Sequence, residues 1–219
     1  KVEMDLFNFT NDGETNKGPK KFDDVLIETL TYAEKAYKKS SDVAVLKTGL
    51  NDFDKKIGGL HKSDLIIIAG RPSMGKTAFA TNLASNIVNK KNDSKDVASN
   101  VLFFSLEMSS EQLATRLLSE MSNIPSEKIR TGNISKIDFE NVMKSSEKLK
   151  NLSLFIDDSP ALTLSAIRSR SRRLKRTNGL DLIILDYLQL IHSEGKNYND
   201  NRVKEISDIT RGLKAIAKE

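Results

Sequence analysis

Cysteine and tryptophan are both absent from this chain of 219 residues. Without cysteine there is no disulfide framework and no thiolate metal site, which fits a reducing compartment and leads us to expect a cytoplasmic protein. No apolar run approaches the ~18 residues that a membrane span needs, and no signal-peptide pattern opens the chain. These absences exclude a disulfide-stapled scaffold, and we expect no membrane partner.

Charge of both signs is plentiful. The chain carries 35 basic and 30 acidic residues, a net charge of +5. This mild excess is compatible with a nucleic-acid partner but is far from diagnostic of one. The proportions, 38% hydrophobic and 30% charged residues, are typical of a globular domain with a charged surface. The length allows one domain with a small attachment, and because the chain begins with Lys1 we expect it to be a piece of a longer polypeptide.

The amino-terminal part differs in pattern from the rest. Residues 1–20 are polar and rich in turn-forming residues, which predicts a flexible linker. Residues 22–39 carry apolar side chains at helical spacing, so we predict an amphipathic helix over 21–40. Aspartates in its first turn and lysines in its last turn match the helix dipole. A domain over 45–219 is expected to follow.

Beyond about residue 48, short apolar runs alternate with helical stretches. The predicted strands are 65–69, 101–106, 152–156 and 182–185. The predicted helices are 76–90, 110–121, 137–150, 163–176 and 202–218. The apolar runs are continuous, as expected for strands covered on both faces. This pattern predicts an α/β fold with a mainly parallel central sheet flanked by helices. Capping boxes at Ser109 and Ser135 and helix stops at Gly132 and Gly179 support these bounds.

One motif carries the clearest chemistry. The sequence GRPSMGKT matches the phosphate-binding pattern G-x-x-x-x-G-K-[ST] in full, and a chance match in this length has a probability of about 1%. Its glycines let backbone N–H groups converge on phosphate oxygens at a helix N-terminus. We expect it to bind ATP with Mg²⁺. Its residues are Gly70, Arg71, Pro72, Ser73, Met74, Gly75, Lys76 and Thr77. Lys76 is expected to reach the terminal phosphates, and Thr77 to ligate the metal.

Acidic residues at the ends of other predicted strands complete the candidate site. Asp186 ends an apolar strand and is expected to hold Mg²⁺ through water. Hydrolysis also needs a carboxylate to orient or deprotonate the attacking water. Glu107 follows one strand, and Asp157 and Asp158 end another. Spacing alone leaves these three residues as alternatives for the base.

Several ordered segments resemble the hexameric replicative DNA helicases of bacteria, the DnaB-like group. They read TGLNDFDKKIGGL, DLIIIAGRPSMGKT, FSLEM, IRTG, IDDSP, IRSRSRRLK and LDYLQLI. The resemblance is strong over residues 45–219, and residues 22–39 resemble the helix that joins the family's two domains. It implies a RecA-like P-loop NTPase core that works in a ring.

The resemblance also assigns roles. It implies that Glu107 is the catalytic base, that Arg116 lies near it as a supporting group, and that Asp186 holds Mg²⁺. Gln189 is expected near the bound nucleotide. The stretch 193–201 resembles a DNA-facing loop of the family, where Lys196 and Arg202 are expected to meet phosphates.

Single-stranded DNA, a homo-oligomeric ring, a primase and a helicase loader are the partners that the resemblance implies. In the family a second DNA loop, a glutamine sensor and an arginine finger lie further along the chain, so we expect a truncated helicase with little activity of its own. Two alternatives stay open: another RecA-like ATPase in strand exchange or repair, or a fragment that acts only in assembly.

Two further surfaces have competing interpretations. Residues 163–176 contain a run of basic side chains. One interpretation is that they contact phosphates. We favour the other, in which this side of the helix faces solvent or another subunit. The run comprises Arg168, Arg170, Arg172, Arg173, Lys175 and Arg176. The apolar stripe of the linker helix packs either within its own chain or, as we favour, on a neighbouring subunit.

Overall fold

The computed structural model describes residues 19, 21–37, 45–89, 99–192 and 202–219. The chain divides into two compact units, with the boundary between residues 44 and 45. In the first unit, helix α1 spans Phe22–Tyr37, which confirms a helix over those residues, while its role as a linker stays a prediction. Its apolar side chains Phe22, Leu26 and Leu30 are exposed. Most of the predicted flexible linker at 1–20 lies outside the described residues.

The second unit contains the predicted alternation of strands and helices. Its elements are α2 Asn51–Ile57, α3 Lys76–Asn89, β1 Val101–Ser105, α4 Ser110–Ser122, α5 Ser126–Thr131, α6 Lys136–Leu149, β2 Leu154–Asp157, α7 Leu164–Thr177, β3 Leu182–Asp186 and α8 Arg202–Lys218. A short 3₁₀ turn, Leu188–Leu190, follows β3. Three of the four predicted strands and the five predicted helices are confirmed, with bounds that differ by at most two residues. The helices α2 and α5 were not predicted from the sequence.

The sheet is parallel, and its strands lie in the order β2-β1-β3. The central strand β1 pairs with both neighbours, with Phe104 opposite Asp157 and Ser105 opposite Asp186. The carboxyl ends of the three strands therefore meet at one edge. In parallel α/β sheets this edge is where ligands bind.

Hydrophobic cores cover both faces of the sheet. Val101 and Phe103 of β1 pack with α3 and α4 in one core, whereas Leu102 and Phe104 pack with α7 and α8 in the other. This division follows from the alternation of side chains along a strand. All five residues of β1 are buried, so the continuous apolar run is explained. Among the described residues, no helix is long and apolar enough to cross a membrane.

The prediction of a strand at 65–69 is wrong. No secondary structure is assigned there, and Ile66, Ile67 and Ile68 are 44%, 61% and 50% exposed. A strand needs a hydrogen-bonded neighbour, and within the described ranges β3 pairs on one side only, with β1. The apolar run that leads into the phosphate loop therefore has strand composition without a strand partner.

Gly59 occupies a turn of the second unit that only a residue without a side chain fits. Leu46 and Leu60 form an isolated antiparallel bridge, and Gly59 between them has φ +88°. A Cβ at Gly59 would lie 2.3 Å from the Val45 side chain. Gly132 also has a positive φ, +72°, but nothing lies within 4 Å of its Cβ position.

These two glycines make a matched pair for a stability test. Gly132→Ala is expected to lower the free energy of unfolding by about 1 kcal/mol, the cost of the left-handed conformation. Gly59→Ala adds a steric clash and is expected to cost about 2–3 kcal/mol. Urea denaturation of both variants measures the difference. Equal costs would show that the Val45 contact does not constrain this position.

Candidate nucleotide site

The loop between residues 70 and 77 curls in the way that anion binding requires. Ser73 and Gly75 both have positive φ, 63° and 86°, and the Met74 N–H donates to the Arg71 carbonyl over 3.3 Å. Left-handed residues turn successive N–H groups toward a common concavity, which is how backbone nests hold phosphate. A left-handed residue other than glycine is uncommon and clusters at ligand-binding sites. Ser73 is such a residue.

Helix α3 begins directly at this loop. The first helical hydrogen bond runs from the Phe79 N–H to the Gly75 carbonyl at 2.9 Å. The N–H groups that precede it have no partner in the helix ladder, and the helix dipole adds positive potential there. The predicted phosphate cradle and the predicted helix therefore lie together as the motif requires.

Lys76 folds back across its own loop. Its Nζ donates to the carbonyl oxygens of Gly70 at 2.9 Å and Arg71 at 3.1 Å. These bonds hold the ammonium group at the loop, where it can bind a phosphate group by exchanging carbonyl oxygens for phosphate oxygens. Thr77 follows and is half-buried. The exposed Met74 and Pro72 form the outer part of the loop.

Asp186 lies at the carboxyl end of β3 and is only 6% exposed. Its carbonyl accepts a hydrogen bond from the Leu106 N–H at 2.8 Å, which joins the end of β3 to the end of β1. Within the described part of the chain no three acidic or histidine side chains gather into a metal site. A metal here would be held by the Thr77 hydroxyl, the Asp186 carboxylate and oxygens of the ligand, a set of hard donors that suits Mg²⁺.

Glu107 is exposed in the short connection between β1 and α4. Both ends of this connection are fixed. The buried Ser105 hydroxyl donates to the Met108 carbonyl at 2.7 Å. The predicted capping box at Ser109 is present and starts α4. Glu107 is thus an exposed carboxylate on a well-anchored backbone, beside the strand that carries Asp186.

The two carboxylates that compete with Glu107 are engaged in the structure. Asp157 accepts hydrogen bonds from the Arg170 guanidinium and from the Ser159 N–H. Burial alone raises the pKa of Asp157, but these hydrogen bonds outweigh it and leave the pKa below its usual value. The Ser110 N–H donates to Asp158 and lowers the pKa of that carboxyl as well. Both carboxylates thus accept hydrogen bonds from protein groups, which leaves them fewer free oxygen sites for an attacking water.

The remaining predicted site residues are Arg116, Gln189, Arg202 and Lys196. Arg116 is exposed on α4, and no hydrogen bond or ion pair joins it to Glu107 in the described structure. Gln189 is exposed in the 3₁₀ turn after β3, and its carbonyl accepts from Arg202 at 2.8 Å. Arg202 also pairs with Glu205. Lys196 lies outside the described residues. The roles predicted for these residues stay predictions.

Sequence reasoning missed the contacts that hold the strand ends. Ser110 bonds to Asp158 across 48 residues of sequence, and no local pattern signals such a pair. Arg170 lies within the run of basic residues and has nothing in the sequence to distinguish it. The motif IDDSP is the one available signal, and by itself it indicates only a candidate base.

A parallel sheet, a G-x-x-x-x-G-K-[ST] loop leading into a helix, and an acid at the end of β3 together indicate a P-loop NTPase domain. Comparison with known proteins gives the particular family. Residues 45–219 match the family described as the DnaB-like helicase C terminal domain. The chain belongs to this family, and its fold is the RecA-like P-loop NTPase fold.

Curated relatives of the chain support this family assignment. The chain is 48% identical to the replicative DNA helicase DnaB of Rickettsia bellii, with 100% of this chain and 44% of the relative covered. It is 42% identical to the replicative DNA helicase DnaC of Bacillus subtilis, with 90% and 42% covered. It therefore spans less than half the length of these curated relatives.

Two solved structures share the fold. One is a DnaB-like replicative helicase from a study of its interactions with primase, with TM-score 0.74, 28% identity, and 98% of this chain and 49% of that chain covered. The other is a solved ATPase domain, with TM-score 0.77, 29% identity, and 92% of this chain and 68% of that chain covered.

Proposed function

We propose that this chain is the ATPase motor portion of a replicative DNA helicase, which couples ATP hydrolysis to movement along single-stranded DNA and to duplex unwinding. One observation carries the proposal. In a chain of the DnaB-like family, the Leu106 N–H and the Asp186 carbonyl join the ends of β1 and β3. This bond brings the candidate base Glu107 and the candidate metal ligand Asp186 to the same edge of the sheet.

The residues divide the chemistry as follows. Lys76 and the first N–H groups of α3 bind the phosphates, and the Thr77 hydroxyl and the Asp186 carboxylate hold Mg²⁺. When bound, Mg²⁺ neutralises charge that develops on the phosphate oxygens. Glu107 orients the attacking water and accepts its proton. Arg116 and Gln189 are proposed to support this arrangement from nearby.

The proposed partners follow from family membership. We place the protein in the cytoplasm as a subunit of a homo-oligomeric ring, a hexamer, on single-stranded DNA, with a primase and a helicase loader. The apolar residues of α1 are exposed, which supports a contact of this helix with a neighbouring subunit. Lys196 and Arg202 are proposed to contact DNA phosphates, so binding weakens steeply with salt.

The full-length protein provides the test. We expect ATP turnover that single-stranded DNA stimulates, together with strand displacement on a forked duplex. Stimulated turnover without strand displacement would contradict the helicase function and favour another RecA-like ATPase. Turnover by the 219-residue chain alone is expected to be far below that of the ring, because the transition-state arginine that a neighbour supplies contributes about 10³–10⁵ in rate in comparable enzymes. If the 219-residue chain and the full-length ring hydrolysed ATP at equal rates, the alternative that the chain acts only in assembly would be excluded.

A further inference from the structure

The turn after β2 is held from α7. The Arg170 guanidinium contacts both carboxylate oxygens of Asp157, at 2.6 Å for Oδ1, and also the Ser159 hydroxyl at 2.7 Å. The Ser159 N–H closes the turn by donating to Asp157 over 3.1 Å. The Asp157 side chain is 15% exposed. One arginine thus fixes both ends of this short turn, and Asp158 lies at its centre.

From this turn, the Asp158 side chain contacts the start of α4. Its Oδ2 accepts the Ser110 N–H at 2.7 Å. Ser110 is the first residue of α4, so the carboxylate bonds to a helix N-terminus, where N–H groups lack intrahelical partners and the dipole favours an anion. This contact ties the start of α4 to the end of β2.

The connection that carries Glu107 lies between β1 and this helix start. On the strand side, the Leu106 N–H is bound to the Asp186 carbonyl and the Met108 carbonyl to the Ser105 hydroxyl. On the helix side, the Ser110 N–H donates to Asp158, which directly follows β2. The backbone on either side of Glu107 is therefore bonded to the end of β3 through Leu106 and to the residue after β2 through Ser110.

We propose that Asp158 is a positioning residue that, through the Ser110 N–H, holds Glu107 where it activates the attacking water. This inference rests on the proposed function, since it assigns Asp158 to the action of the same base. Within the described residues, Asp158 bonds to Ser110 and to neither the nucleotide loop nor Asp186. The Arg170–Asp157 pair serves the same end by fixing the turn.

Asp158→Ala in the full-length protein tests the role. Loss of the tie is expected to lower kcat for ATP about tenfold or more, because a displacement near 1 Å of a catalytic group costs up to about 10²-fold, while KM for ATP stays unchanged. Asp158→Asn keeps an oxygen that accepts the Ser110 N–H and is expected to restore most of kcat. Ser135→Ala is the matched control, because it removes a comparable cap from α6, a helix that carries none of the predicted site residues, and it is expected to leave kcat unchanged.

Each other outcome overturns the inference. Wild-type kcat in Asp158→Ala would show that Glu107 does not need the tie. Equal losses in the alanine and asparagine variants would make the charge, rather than the hydrogen bond, the active feature. An equal loss in Ser135→Ala would reduce the effect to general stability. If wild type hydrolyses ATP and Glu107→Gln does not, these results bear on Asp158 alone. If wild type does not hydrolyse ATP, the proposed function fails and the inference falls with it.

Discussion

Glu107→Gln in the full-length protein is expected to bind ATP normally and to hydrolyse it about 10²–10⁴-fold more slowly than wild type. Glutamine has the same shape and keeps a carbonyl oxygen toward the water, but it does not accept a proton at neutral pH. Glu107 lies outside the phosphate loop, and its backbone is held by Ser105 and Leu106, so the substitution leaves the loop intact. Equilibrium nucleotide binding and single-turnover hydrolysis separate the two effects.

Glu127→Gln provides a matched control for this variant. Glu127 is also exposed but lies in the first turn of α5, away from the sheet edge. The control is expected to keep wild-type turnover. Undiminished turnover in Glu107→Gln would move the base to Asp157 or Asp158, the carboxylates that bond to Arg170 and Ser110.

Lys76→Ala is expected to abolish nucleotide binding in practice, with a loss of at least ~100-fold in affinity. A hydrogen bond to a charged group contributes about 1.5–3 kcal/mol, and Lys76 is placed to make more than one to the phosphates. The alanine also removes the bonds to the Gly70 and Arg71 carbonyls, so the loop loses an internal tie. Titration with a fluorescent ATP analogue measures the affinity.

Lys128→Ala, a loss of one exposed lysine on α5, controls for charge alone in that titration. It is expected to bind nucleotide as wild type does. Wild-type affinity in Lys76→Ala would contradict the phosphate-loop assignment, whatever the fold. A lower melting temperature in Lys76→Ala than in Lys128→Ala would reveal how far the carbonyl contacts of Lys76 contribute to stability.

Local patterns predicted most of the fold. The apolar run of β1 is buried along its whole length, and the capping boxes at Ser109 and Ser135 start α4 and α6 as expected. These signals are short in range, because propensity, capping and periodicity act within a few residues. The same reasoning located the phosphate loop, whose residues are contiguous.

Two kinds of feature could not be predicted from the sequence. The run at 65–69 has strand composition, but pairing depends on a neighbour that composition does not supply. The contact between Asp158 and Ser110 joins residues far apart in the chain, and one sequence without homologues contains no record of such pairs. For that reason spacing left Glu107, Asp157 and Asp158 as alternatives, and the family resemblance is what favoured Glu107. The structure adds that Asp157 and Asp158 accept hydrogen bonds from Arg170 and Ser110.

The three adjacent isoleucines, Ile66, Ile67 and Ile68, also present an apolar surface to the solvent. Each exposes between 44% and 61% of its surface, and β-branched apolar runs facing water are typical starting points for pairing between chains. We therefore expect this segment, just ahead of the phosphate loop, to be a site where purified copies of the chain associate as the concentration rises.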